Sequence, residues 1–213
     1  MNIARDGIAW VLIPLLGCLL AAALGYWWWW PALIFAGAWL LLAAFMAYFF
    51  RDPRRAPPVD TSVVVSPADG RVTRVQHLSP GDANSPQVVS IFLSPFDVHI
   101  NRAPIAGNIT DVTYTKGRFM IATRDEASLV NEQNALTIEG ERVTVVCKQI
   151  AGVLARRIVC WRGVGDRLQL GEKFGLIKFS SRTDLVLPAE IEVTVAVGQR
   201  VRGGVSIIGR IRS

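Results

Sequence analysis

The order of apolar and polar positions divides the chain sharply. From Gly7 to Phe50 there is no Asp, Glu, Lys or Arg, and two apolar runs stand out, roughly Ile8–Leu24 and Pro31–Phe50. Each approaches the ~20 residues a helix needs to cross a hydrocarbon core. Between them lies Gly25-Tyr26-Trp27-Trp28-Trp29-Trp30-Pro31. Tryptophan and tyrosine favour the bilayer interface, and Gly and Pro punctuate helices, so a turn at a membrane surface is expected there. The pattern predicts a transmembrane helical hairpin over residues 1–50, with a single re-entrant or interfacial segment as the alternative. After a basic linker, 51–61, short β-branched runs are broken by Gly, Pro, Asn and Asp: Ser62–Val65, Val88–Leu93, Ile109–Tyr114, Val143–Ile150 and Ile191–Val197. Their length and spacing predict a mainly β domain over 62–213, with a turn of helix near Ala127–Glu132.

Two Gly-bounded turns, Gly165–Gly171 and Gly198–Gly204, each lead into an apolar strand, Phe174–Phe179 and Val205–Ile211. The repetition resembles the hairpins of lipoyl/biotinyl-like barrel-sandwich domains. The positive mean hydropathy (+0.34) comes from the front of the chain. The net charge of +6 fits an anionic membrane surface better than nucleic acid. No aromatic–basic alternation or nucleic-acid module is present, whereas Arg51, Arg54 and Arg55 directly follow the apolar region. Juxtamembrane arginines are each drawn to anionic lipid by about 1 kcal/mol, and they also fix topology. The expected orientation has both ends of the hairpin and the β domain on the cytoplasmic side of the membrane. Cys18, Cys147 and Cys160 form no disulfide framework and no metal-ligand spacing, so a reducing compartment and no metal are expected.

Histidine is scarce. His77 lies in Gln76-His77-Leu78-Ser79-Pro80, which reads as an exposed turn. His99 lies in Ser94-Pro95-Phe96-Asp97-Val98-His99-Ile100-Asn101-Arg102, among residues able to orient its ring and set its charge near neutral pH. Taken alone it also reads as a buried structural histidine. Asp69, before Gly70, reads alone as a turn residue, and Ser180-Ser181 as bulge or solvent-facing serines.

Together, however, these segments resemble the short, membrane-anchored proenzyme form of the phosphatidylserine decarboxylase family. The resemblance is carried by Phe49-Phe50-Arg51-Asp52-Pro53, Pro67-Ala68-Asp69-Gly70, Ser94–Pro104 with Val98-His99-Ile100-Asn101-Arg102, Asn131-Glu132, Ile150–Ile158 and Gly171-Glu172-Lys173-Phe174-Gly175. It implies self-cleavage between 180 and 181, giving a β chain 1–180 and an α chain 181–213, a heterodimer of one gene product with further homo-oligomerisation left open. It implies that Ser181 becomes a covalent pyruvoyl group, the electron sink for decarboxylating phosphatidylserine to phosphatidylethanolamine with no external cofactor. Asp69 and His99 are then the base system that activates Ser181, with Asp69 orienting or charging His99. His99 is also expected to protonate the product carbon. Asn101, Arg102, Arg156, Lys178 and Arg182 are the expected head-group contacts, alongside Arg157.

Two positions depart from the family pattern. Ser180 stands where the family usually has glycine, and its Cβ narrows the backbone choices at the scissile bond. Arg102 stands where long-form members carry a second histidine. A slow or cleavage-deficient proenzyme, and a non-catalytic membrane adaptor on a lipoyl-like domain, are the alternatives.

Overall fold

In the computed structural model, which describes residues 2–82, 84–121, 126–153, 157–179 and 181–212, both apolar runs are helical. β1 (Asn2–Ile3) precedes α1 (Ile8–Trp27) and α2 (Ala32–Phe49), and β2 (Arg51–Asp52) pairs back on β1. The first helix runs past its expected end at Leu24, through Gly25. That glycine does not break the helix; it lets the two helices approach, since a Cβ on it would lie 2.7 Å from Leu33 Cδ2. Gly17 does the same against Trp39, the use of small residues common between membrane helices. The turn is therefore confined to the four residues Trp28–Pro31. Both helices are long and apolar enough to cross a membrane. Apart from their mutual contact they expose apolar side chains such as Leu19 and Leu41, a pattern suited to lipid.

Residues to Arg54 form one compact unit and Arg55 onward another. The second is mainly β, as expected. Its elements in order are β3 (Val63–Val65), β4 (Gly70–His77), β5 (Gln87–Leu93), β6 (Ile100–Arg102), β7 (Gly107–Thr115), α3 (Ala127–Val130), β8 (Gln133–Glu139), β9 (Thr144–Ala151) and β10 (Arg157–Cys160). Then come β11 (Arg167–Leu168), β12 (Lys173–Lys178), β13 (Ser181–Leu187), β14 (Ile191–Val193), β15 (Arg200–Val201) and β16 (Ile207–Ile211). An antiparallel sheet of order β11-β7-β8-β9-β13-β5-β4-β15 curls around a core that includes Val89, Ile91, Leu136, Ile138, Leu168 and Leu185. Two three-stranded sheets, β10-β12-β6 and β14-β16-β3, complete it.

The two Gly-bounded turns play matching parts. Each supplies the edge strand at one end of the large sheet, β11 or β15, and then leads into the middle strand of a small sheet, β12 or β16. Their last glycines, Gly171 and Gly204, both have φ +73°, and a Cβ on Gly171 would sit 3.2 Å from the Gly204 carbonyl oxygen. Glycine is required there by handedness and by space. One expected strand is shorter than the apolar run. β14 stops at Val193, because Gly198 (φ +93°) turns the chain back through Ala196–Gln199.

Candidate active site

The topology brings two crossings side by side. In the large sheet β5 neighbours β13, and in a small sheet β6 neighbours β12. The link from β5 to β6 carries His99, and the link from β12 to β13 carries the bond before Ser181. Ser181 heads β13, opposite Leu93 on one side and Ala151 on the other. It is fully buried, and its Oγ has no hydrogen-bond partner among the described residues. Two residues earlier, Phe179 has φ +60°. A side-chain-bearing residue in that left-handed region is strained by about 1–2 kcal/mol. Ser180 lies outside the described residues.

His99 is buried on the neighbouring link, and its carbonyl accepts from the Ile177 N–H. Its Nδ1 lies 3.0 Å from the Asp97 carbonyl oxygen. That acceptor fixes Nδ1 as the donor, so in the neutral ring Nε2 is the basic nitrogen. Asp97 builds the turn beneath it. Its Oδ2 accepts from the Ser94 N–H at 2.9 Å and from Ser94 Oγ at 2.7 Å.

Asp69 is held elsewhere than on the histidine. Its Oδ2 accepts from Arg55 at 2.7 Å and its Oδ1 from the Gly203 N–H at 2.8 Å. The expectation that Asp69 orients the His99 ring is corrected: the backbone carbonyl of Asp97 takes that part. Burial pushes the Asp69 carboxyl above its ordinary value, while the Arg55 guanidinium and the Gly203 N–H pull the other way. Arg55, assigned from sequence to the membrane surface, is thus the counter-ion of a half-buried carboxylate. Only the need of a partly buried Asp for a cation could have signalled it.

The expected head-group residues separate. Asn101 donates through Nδ2 to Thr183 Oγ1 at 3.0 Å and accepts through Oδ1 from Gln149 Nε2 at 2.9 Å. Gln149 in turn accepts from Asn134 at 3.1 Å. All four are buried. Asn101 therefore belongs to a satisfied polar chain behind Ser181, on the face that Ser181 and Thr183 share by strand alternation. Arg182 points to the opposite face, where Nε and Nη2 grip Asp184 at 2.7 and 2.8 Å. It is not placed to meet a head group beside Ser181. Arg102 donates to the Gly171 carbonyl at 3.1 Å, and Lys178 is buried at the end of β12, opposite Arg157. Arg156 lies outside the described residues. His77, expected in an exposed turn, instead closes strand β4 opposite Gln87, half-buried, with Nδ1 3.2 Å from the Ser85 carbonyl oxygen.

Other chemistries find no support in these positions. Burial pushes the Cys147 and Cys160 thiols up, so neither is a ready thiolate. No metal-binding cluster is found among the described residues. A cavity of about 470 Å³, lined by Thr61, Ile105, Glu139, Arg142, Arg167 and Ile211 among others, touches none of Ser181, His99 and Asp69.

The corner thus holds a buried serine at a strand head, with no hydrogen-bond partner for its Oγ among the described residues, and on the neighbouring link a histidine oriented through Nδ1. The family model for phosphatidylserine decarboxylase matches residues 42–209. A phosphatidylserine decarboxylase proenzyme of Solibacter usitatus is 51% identical over 177 residues, 83% of this chain and 84% of the relative. One of Symbiobacterium thermophilum is 47% identical over 216 residues, 98% of this chain and 95% of the relative. The proenzyme of Trichlorobacter lovleyi is 45% identical over 177 residues, covering 83% and 81%. The chain belongs to the phosphatidylserine decarboxylase family.

Proposed function

We propose that this chain decarboxylates phosphatidylserine to phosphatidylethanolamine and CO2, using a pyruvoyl group made from Ser181 after cutting itself at Ser180–Ser181. The observation that carries the reading is the Ser181 hydroxyl, buried and without a partner among the described residues. An unsatisfied buried hydroxyl costs about 1–3 kcal/mol, a penalty that fits a side chain kept for chemistry. The strained φ of Phe179 adds support, since strain concentrates where a backbone is to react.

In the cutting step Ser181 Oγ attacks the carbonyl carbon of residue 180, and its proton passes to a base while an amide is exchanged for an ester. Removal of the Cα proton of residue 181 then expels the upstream chain as a carboxylate and leaves dehydroalanine. Water converts that to the pyruvoyl group with loss of ammonia. His99 Nε2 is the base we assign, with its ring held through Nδ1. Asp69 sets the local charge together with Arg55, without touching the ring. When formed, the pyruvoyl group supplies the electron sink for decarboxylation. The ladders to β5 and β9 hold residue 181 in place, and His99 returns a proton to the product carbon. Lys178 and Arg102 are the cations of this chain assigned to the phosphate and carboxylate of the substrate. The hairpin anchors the chain in a bacterial inner membrane with the β unit on the cytoplasmic side, by the arginines that follow α2. The mature enzyme is a heterodimer of fragments 1–180 and 181–213.

Intact-mass spectrometry of the purified chain tests this. The expected result is two fragments, the smaller carrying a hydrazine-reactive carbonyl at its N-terminus, with a single inactive species in Ser181→Ala. One intact mass with no reactive carbonyl from the natural sequence refutes it.

A further inference from the structure

Beside Ser181 the β unit exposes an apolar ledge, formed by Phe119, Ile121, Leu129, Val130 and Val153, with Leu129 82% exposed. Buried Asn131 holds the ledge together. Its Oδ1 accepts from the Met120 N–H at 2.9 Å, and its Nδ2 donates to the Met120 carbonyl at 2.9 Å and the Ala151 carbonyl at 2.7 Å. The Arg118 N–H donates to the Val130 carbonyl at 2.7 Å. Ala151 is the strand neighbour of Ser181, so the staple ties the ledge to the reaction corner. A buried amide that fixes exposed Leu, Ile and Phe in one place runs against core-building, and fixed apolar patches of this kind mark docking surfaces.

We propose that this ledge is a membrane-docking surface that enters the head-group layer of an anionic bilayer and brings the corner to its lipid substrate. The proposal rests on Ser181 as the reaction centre. Three observations favour a bilayer as occupant. Among the described residues, the exposed cations Lys116, Arg118 and Arg157 flank the apolar residues, against Glu126 as the exposed acid, a mixture suited to anionic lipid. The unit is also tied to a helical hairpin apolar enough to cross a membrane. Along the chain, only Pro53 and Arg54 separate the paired residue Asp52 from Arg55, which Asp69 holds, so the tether is short.

The test uses the full chain in nanodiscs, one copy per disc, with and without phosphatidylserine. Leu129→Cys and Ile121→Cys are labelled with an environment-sensitive fluorophore in a Cys18→Ser, Cys160→Ser background; Cys147 is fully buried. Quenching by lipids brominated near the head group should be at least twofold stronger at these positions than at Val197→Cys or Leu78→Cys, and stronger with phosphatidylserine present. Equal quenching at all four positions overturns the proposal. So does shielding of the label in detergent that grows with protein concentration, which would mark a second copy as the occupant. Scoring the cut by intact mass in the labelled chain that keeps Ser181 separates the two readings: docking without cutting there tells against the chemistry, and cutting without docking tells against the ledge. Quenching in a Ser181→Ala background should be unchanged, since the ledge is in place before any cut.

Discussion

Replacing Arg55 with alanine leaves the Asp69 carboxylate with the Gly203 N–H and no cation. Removing one partner of a buried ion pair commonly costs about 3–5 kcal/mol. The two side chains here keep 13% and 14% of their surface in solvent, so about 2 kcal/mol is the expected loss once solvent screening is allowed for. For a chain of 213 residues that lowers Tm by roughly 4–8 °C. The pH dependence has a definite sign. The folded chain holds Asp69 above its ordinary value, chiefly through burial, so the ionised form subtracts stability at neutral pH. The penalty is relieved as pH falls through the folded value. Arg55 limits that penalty. Without it the penalty near pH 8 grows, and relief begins at a higher pH. The gap in Tm between Arg55→Ala and the parent is therefore widest near pH 8 and narrows toward pH 5, while Arg55→Lys keeps most of the parent value. The assay is thermal unfolding of the full chain in detergent, in a Ser181→Ala background so that no cut changes the species. A gap below about 1 °C, or one that widens on acidification, refutes the assignment of Arg55 as counter-ion.

Three further outcomes follow from the same geometry. Gln149→Leu strands the Asn101 carbonyl oxygen and the Asn134 amide and should lower stability by about 2–3 kcal/mol, read as a fall in Tm; an unchanged Tm means the buried chain is not needed. Arg182→Ala leaves Asp184 buried opposite Arg74 alone and should cost about 3 kcal/mol. The fraction that folds should keep the parent KM for phosphatidylserine, so a raised KM at parent stability would show that Arg182 meets substrate after all. Gly171→Ala, at φ +73° and 3.2 Å from the Gly204 carbonyl oxygen, should destabilise by about 1–2 kcal/mol, measured as the fall in denaturant midpoint of the full chain.

Much of the architecture was legible because it is written in local periodicity. The charge-free run set the hairpin, and the runs ending at Val65, Leu93, Tyr114 and Ile150 fell on strands β3, β5, β7 and β9. The strand β8 escaped notice since its inward positions, Asn134, Leu136 and Ile138, begin with an amide that pairs across the sheet with Gln149. The matching of the two Gly-bounded turns was visible as a repeat, but its meaning, opposite edges of one sheet, is a long-range fact. The same limit governed the corner. Ser181, His99 and Asp69 could be named from their segments, yet the partner of each depends on contacts across the fold. Asp97 acts through its backbone carbonyl, which no side-chain pattern announces. Gly203 offers an N–H from 134 positions away. Arg182 was expected near substrate as one of the available cations, but it stands next to Ser181 on β13, and strand alternation turns neighbours to opposite faces.

The position of Ser181 at the head of an interior strand bears on how long a cut molecule lasts. Residues after the bond run through the middle of the large sheet as β13, pair with β3 through β16, and close an edge against β4 as β15. Cutting before Ser181 therefore frees no segment, and the two pieces part only if both sheets open. Once they do part, recovery is a second-order encounter between two incomplete chains. A broken copy in a sparse membrane is then lost for good, and the supply of active enzyme is set by new synthesis and by the slowness of unfolding, not by refolding.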